Sequence, residues 1–100
     1  MQVSRGHYGW KASSDITLMG DLVVRVTTLK NQDGKLVTTA RCCRKLGNEV
    51  DFSVTPHYYR TLIISDVDRA TLQVVEEQHK MIDLKEVEGS VRAFLGLPVA

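Results

Sequence analysis

A chain of 100 residues, 43% hydrophobic and 25% charged, has the length and balance of one globular domain, and it excludes collagen, low-complexity and disordered chains. Thirteen basic against twelve acidic side chains leave a net charge of +1, so the chain as a whole carries no polyanion- or membrane-binding signature. Its two cysteines, Cys42 and Cys43, are adjacent, which excludes a disulfide-rich secreted scaffold and predicts free thiols in a reducing, cytoplasmic setting. No apolar run approaches the roughly 20 residues needed to cross a bilayer, and the N-terminus lacks the apolar stretch of a signal peptide.

In chain order, His7 to Leu18 is ambiguous: Gly6 and Gly9 suggest a loop, and Ile16-Thr17-Leu18 a short strand before a turn at Met19-Gly20-Asp21. Leu22 to Leu29 is rich in β-branched residues and predicts a strand. Asp33-Gly34 predicts a tight hairpin to Leu36 through Cys43, and Gly47-Asn48 a second one to Glu49 through Thr55. A two-residue second loop sets Leu46 opposite Glu49, Arg44 opposite Asp51, Cys43 opposite Phe52 and Arg41 opposite Val54. Carried across the first hairpin, this register builds an expected core face of Leu22, Val24, Val26, Val37, Thr39, Cys43, Val50, Phe52 and Val54. Arg41 and Lys45 fall awkwardly on the same face, as marginal residues with buried stems. Pro56 interrupts, and His57 through Ile64 reads as a further strand.

At Ser65 the period changes. Ser65-Asp66-Val67-Asp68 predicts a capped helix start, and Thr71, Val74, Gln78, Met81, Leu84, Val87, Val91 and Phe94 form one amphipathic stripe ending at Gly96 and Pro98. A continuous helix from Asp66 to Leu95 would run about 45 Å, against about 27 Å for an eight-residue strand. It must therefore break, at Asp83 or Gly89, or pack its overhang on a second copy, which predicts a homodimer through Val74, Met81, Leu84, Val87, Val91 and Phe94.

The predicted fold is α+β, in one domain over residues 1–100: an antiparallel β-meander of four to five strands across residues 1–64, then a long C-terminal helix or helical hairpin across 65–96, packed on one sheet face. Charge divides at the same boundary. Residues 1–64 carry nine basic and five acidic side chains, net +4, and residues 65–100 four and seven, net −3.

Four of the six aromatic residues lie in His57-Tyr58-Tyr59-Arg60 and His7-Tyr8-Gly9-Trp10. Aromatic planes beside Arg and His suit a protein hot spot or base stacking. The simpler alternative is that one tyrosine closes an end of the core. Arg41, Arg44 and Lys45 can track a phosphate backbone or merely blunt an edge strand. His7, His57, His79, Cys42 and Cys43 match no metal-ligand spacing, and His79 is expected to face solvent. No nucleophile motif, phosphate loop or dinucleotide fingerprint is present. The expectation is a non-catalytic binding or adaptor protein without metal or cofactor, homodimeric, meeting a protein partner through Trp10, Arg41, Lys45, His57, Tyr58, Tyr59 and Arg60. The alternative is a nucleic-acid-binding protein using the same basic, aromatic sheet residues. A third reading, a small-molecule pocket lined by Trp10 and Phe52, asks for a cavity that so small a core can hardly hold.

Overall fold

Alternation of apolar and polar side chains over most of the first two-thirds of the chain produces strands, and the computed structural model describes them in residues 1–47, 49–53 and 58–98. Asn48, Val54 and His57 lie outside the described residues. Six antiparallel strands form one sheet: β1 (Gln2–Gly6), β2 (Gly9–Met19), β3 (Leu22–Lys30), β4 (Lys35–Leu46), β5 (Glu49–Asp51) and β6 (Tyr59–Asp66). Two helices follow, α1 (Leu72–Lys80) and α2 (Leu84–Leu95). The class is α+β.

The strand order runs β1-β2-β3-β4, and the twelve-residue β4 then takes two partners on its far side. β6 pairs along Lys35 to Arg41, and β5 along Arg44 to Leu46. The ambiguous N-terminal segment joins the sheet apart from a turn at His7-Tyr8, β2 running eleven residues and pairing with both β1 and β3. Its alternation is disguised by Ser14, a polar residue at an inward position between Ala12 and Ile16.

The second turn has the expected register, Leu46 opposite Glu49 and Arg44 opposite Asp51. β5 stops at Asp51, however, so the expected pairing of Cys43 with Phe52 is not formed, and the position opposite Arg41 is taken by Tyr59. The ion pair of Arg44 is to Asp21 at 3.2 Å, while the Asp51 carboxylate accepts from Ser53.

The first hairpin differs by one residue. Asn31 donates its backbone N–H to Lys35 O at 2.9 Å, and its side-chain oxygen accepts from the backbone of Asp33 and Lys35. The loop is therefore three residues, Gln32-Asp33-Gly34, with Gly34 at φ 78° in the left-handed region. Val24 consequently pairs with Cys42 and Val26 with Ala40. Because side chains alternate, the shift turns over every β4 residue. Leu36, Thr38, Ala40 and Cys42 join Val24 and Val26, in place of the expected Val37, Thr39 and Cys43. The same shift removes Arg41 and Lys45 from the core face, and both are exposed.

The helical region starts later than expected and is two helices, broken at Asp83, one of the two expected break points. Ser65 is no cap: β6 continues to Asp66, which pairs with Lys35. The chain then crosses to β2, where Trp10 N–H donates to Ala70 O at 2.9 Å, and α1 begins behind the N-cap Thr71. α1 ends at Met81, and Asp83 caps α2 by accepting from the N–H groups of Lys85 and Glu86. Gly89 lies inside α2. Helices of nine and twelve residues span about 14 and 18 Å, so neither overhangs a strand. The stripe of one expected helix is divided between two apolar clusters. Val87 and Val91 pack with Leu18, Val24, Val26, Ala40 and Cys42, and Val75 packs with Ala12, Leu36 and Ala70.

Candidate binding site

β6 brings Tyr58 and Arg60 to the junction of the two helices. There a groove of about 290 Å³ is lined by these two residues with Leu62, Met81, Ile82, Asp83, Glu86, Val87 and Ser90 among others. The α1–α2 break makes it: Asp83 turns the chain, and the turn leaves Met81 72% exposed. Phe94, 62% exposed, meets Tyr58 edge-on with ring centroids 5.2 Å apart. The groove's lining is mixed: Tyr58, Leu62, Met81, Ile82 and Val87 supply apolar surface, Thr61 and Ser90 hydroxyls, Arg60 one cation, and Asp83 and Glu86 two carboxylates.

This groove unites parts of two residue sets that the sequence keeps apart: Tyr58 and Arg60 from the aromatic segment, and Met81 and Val87 from the helix stripe, with Phe94 alongside against Tyr58. The other stripe residues are placed differently. Val91 is 0% exposed in the chain's own core, Val74 packs partly buried beside Val75, and Leu84 is 37% exposed. Leu62, Ile82, Asp83, Glu86 and Ser90 were missed as site residues. The signal for Asp83 was its capping position between two apolar stretches.

The remaining aromatic candidates diverge. Trp10 packs partly buried against the cluster of Ala12, Leu36, Ala70 and Val75, with the Arg5 guanidinium 5.3 Å over its ring, and the segment His7–Trp10 lines a second hollow at the far end of the sheet. Tyr59 lies opposite Arg41 and is 65% exposed. Arg41 lies 4.4 Å over the Phe52 ring. Trp10 lines the second hollow, and Phe52 lines neither of the two described.

Two further groups are resolved by burial. His79, expected at the surface, is 4% exposed. Its Nδ1 lies 2.9 Å from the Thr28 hydroxyl and its Nε2 2.8 Å from that of Ser14. Thr28 bonds Thr38 at 2.7 Å, and Gln78 donates to both Thr38 and Leu36 O at 3.1 Å while Ser65 donates to its carbonyl. One polarity satisfies every hydrogen: Gln78 donates to Thr38, Thr38 to Thr28, Thr28 to Nδ1, and Nε2–H to Ser14. The imidazole is thus neutral, and burial, aided by the positive N-terminus, holds its pKa below the usual value. Cys42 and Cys43 point to opposite sides of the sheet, are 2% and 0% exposed, and have thiol pKa values raised by burial.

On the side of β2 to β4 that carries Cys43, the Arg25 guanidinium holds Asp15 in two hydrogen bonds of 2.8 and 3.1 Å, and Lys45 adds a contact at 3.3 Å. These cations hold the Asp15 carboxyl below the usual range, Arg25 first.

No protein-family model matches the chain, and no curated protein or solved structure is significantly similar to it. Among the described residues, no helix is long and apolar enough to cross a membrane.

Proposed function

We propose that the protein is a non-catalytic binding module whose two helices cover one face of the sheet, and that the groove at their junction receives a segment of a partner protein. The observation that carries this reading is the groove itself, where Tyr58, Arg60, Met81 and Glu86 converge with an exposed Phe94 alongside. A mixed lining with two carboxylates suits a segment that sets one apolar side chain against Met81 and Leu62 and a lysine or arginine against Asp83 and Glu86. A non-catalytic role is supported by the burial of both thiols and by the closure of the Ser14–His79 pair into a network without a charged member.

A homodimer is the second reading, favoured by the exposure of Met81 and Leu84 at the helix junction and of Phe94 near the end of α2. It would bring a helical half of net charge −3 against its own image, so a basic partner is the better complement. Selection of displayed random peptides on the wild-type protein and on Met81→Glu tests the first reading, alongside the mass in solution by light scattering. Enrichment of apolar-basic peptides lost in the variant is expected, on a monomer of 11.2 kDa. A stable dimer that Met81→Glu splits would replace this reading by the second, and enrichment indifferent to the variant would remove both.

A further inference from the structure

We infer that the sheet face carrying Arg25, Arg41 and Tyr59 is a second binding surface, and that its ligand is single-stranded nucleic acid. The surface is separate from the groove and rests on cross-strand register. Three rows run across β2, β3, β4 and β6: Lys11–Leu29–Val37–Ile64, then Ser13–Thr27–Thr39–Thr61, then Asp15–Arg25–Arg41–Tyr59. The outer rows supply cations and apolar or aromatic surface, and the middle row is four hydroxyls, none bonded to another side chain among the described residues. With Lys35 and Lys45 the face holds five cations, against the carboxylates of Asp15 and Asp66. The surplus is three positive charges on a chain whose net charge is +1.

Charge and shape together select the ligand. Among the described residues Lys11 and Arg41 enter no ion pair, while Arg25 and Lys45 share Asp15, so two to four cations are available to phosphates. Tyr59 presents a ring that is 65% exposed beside Arg41, whose guanidinium is already layered on Phe52. A base face can stack there only if it is not already stacked in a duplex. At the other corner, a hollow of about 260 Å³ at the end of the sheet, which Lys11 and Leu29 of this face line together with Tyr8, and with Trp10 from the helix side, is large enough for a second base. The two ends are four residues apart along β3 and up to three strands apart across the sheet, about 20 Å diagonally, the reach of a few nucleotides.

The test is fluorescence anisotropy of labelled twelve-residue oligo-uridine and oligo-thymidine at 50 and 200 mM salt, with a duplex of equal length and heparin as comparators. Neutralising two to four phosphates on a single strand predicts a loss of roughly 7- to 50-fold in affinity across that salt range. Arg41→Gln should weaken binding and flatten the salt dependence by about one phosphate. Tyr59→Ala, a surface change, should lose roughly five-fold or more against the single strand. No binding at 50 mM salt would overturn the proposal. So would binding that Tyr59→Ala leaves intact and that duplex and heparin match, since this would show plain attraction to polyanions. Met81→Glu should leave oligonucleotide binding unchanged, which separates this surface from the groove.

Discussion

Thr28→Val is the sharpest probe of how the helices are seated on the sheet. The residue is 0% exposed, and its hydroxyl joins Thr38 at 2.7 Å to His79 at 2.9 Å. Valine keeps the shape and removes the oxygen, so the Thr38 hydrogen and the His79 Nδ1 lone pair both lose their partner. No described buried side-chain polar atom is otherwise unsatisfied. Each orphaned group costs about 1–3 kcal/mol, which gives about 2–4 kcal/mol for the pair once some relaxation is allowed. That is a large share of the roughly 5–15 kcal/mol that holds a domain together, and it lowers Tm by about 10 °C or more. Urea unfolding at pH 7.5, followed by circular dichroism, should show a lower midpoint with an unchanged slope. Thr27→Val is the reference: it sits one residue away on the opposite face, half-exposed and without a side-chain partner, and should stay within about 0.5 kcal/mol of wild type. A Thr28→Val protein as stable as wild type, or a Thr27→Val protein equally weakened, would refute the network as drawn.

Three more outcomes follow from the same structure. The His79 pKa is depressed in the folded state, so its contribution is fully present above about pH 6.5, the unfolded value, and is lost as pH falls below it. The urea midpoint should decline between pH 6.5 and 5 with a slope no steeper than about 1.4 kcal/mol per pH unit, and His79→Gln should abolish that slope. Gly9→Ala should be far worse than Gly34→Ala: at Gly9, φ is 135° and a Cβ would lie 2.7 Å from Ala70 Cβ, whereas Gly34 opens on empty space. Expected losses are more than about 2 kcal/mol and about 1 kcal/mol respectively, and equal urea midpoints would contradict this. Cys42 and Cys43 should react with Ellman's reagent only at the rate of unfolding, and fast labelling of either thiol in native buffer would contradict its burial.

Strand identity was legible in this sequence wherever β-branched residues cluster, and turn position wherever glycine does. What local pattern could not supply was the register of the first hairpin, because Asn31 adds a residue to the loop by capturing the Lys35 amide with its side chain. The error announced itself in the sequence: it placed Arg41 and Lys45 on the core face, and a register that buries two cations without partners is the wrong one. The start of the helices failed for a different reason. Ser65 and Asp66 carry the chemistry of an N-cap, yet both side chains are engaged elsewhere, Ser65 with Gln78 and Asp66 with Lys35. Tertiary partners, not local preference, decide such a boundary.

The candidate residues were legible as a list but not as a surface, and parity explains why. Tyr58 and Tyr59 are neighbours, so on a strand they must point to opposite sides. Register then distributes the rest: Arg60 goes with Tyr58 to the groove, while Arg41 and Lys45 go with Tyr59 to the other face. One sequence cluster is thus divided between the two sides of the sheet. The near-neutral net charge hides the same division, since basic residues concentrate on the strands and acidic ones on the helices that form the groove rim. A partner protein and a nucleic-acid strand would then approach from opposite sides of a domain only a few strands wide. Binding of one need not displace the other, and a ternary complex of the peptide selected on the groove with labelled oligo-uridine should form with both affinities unchanged.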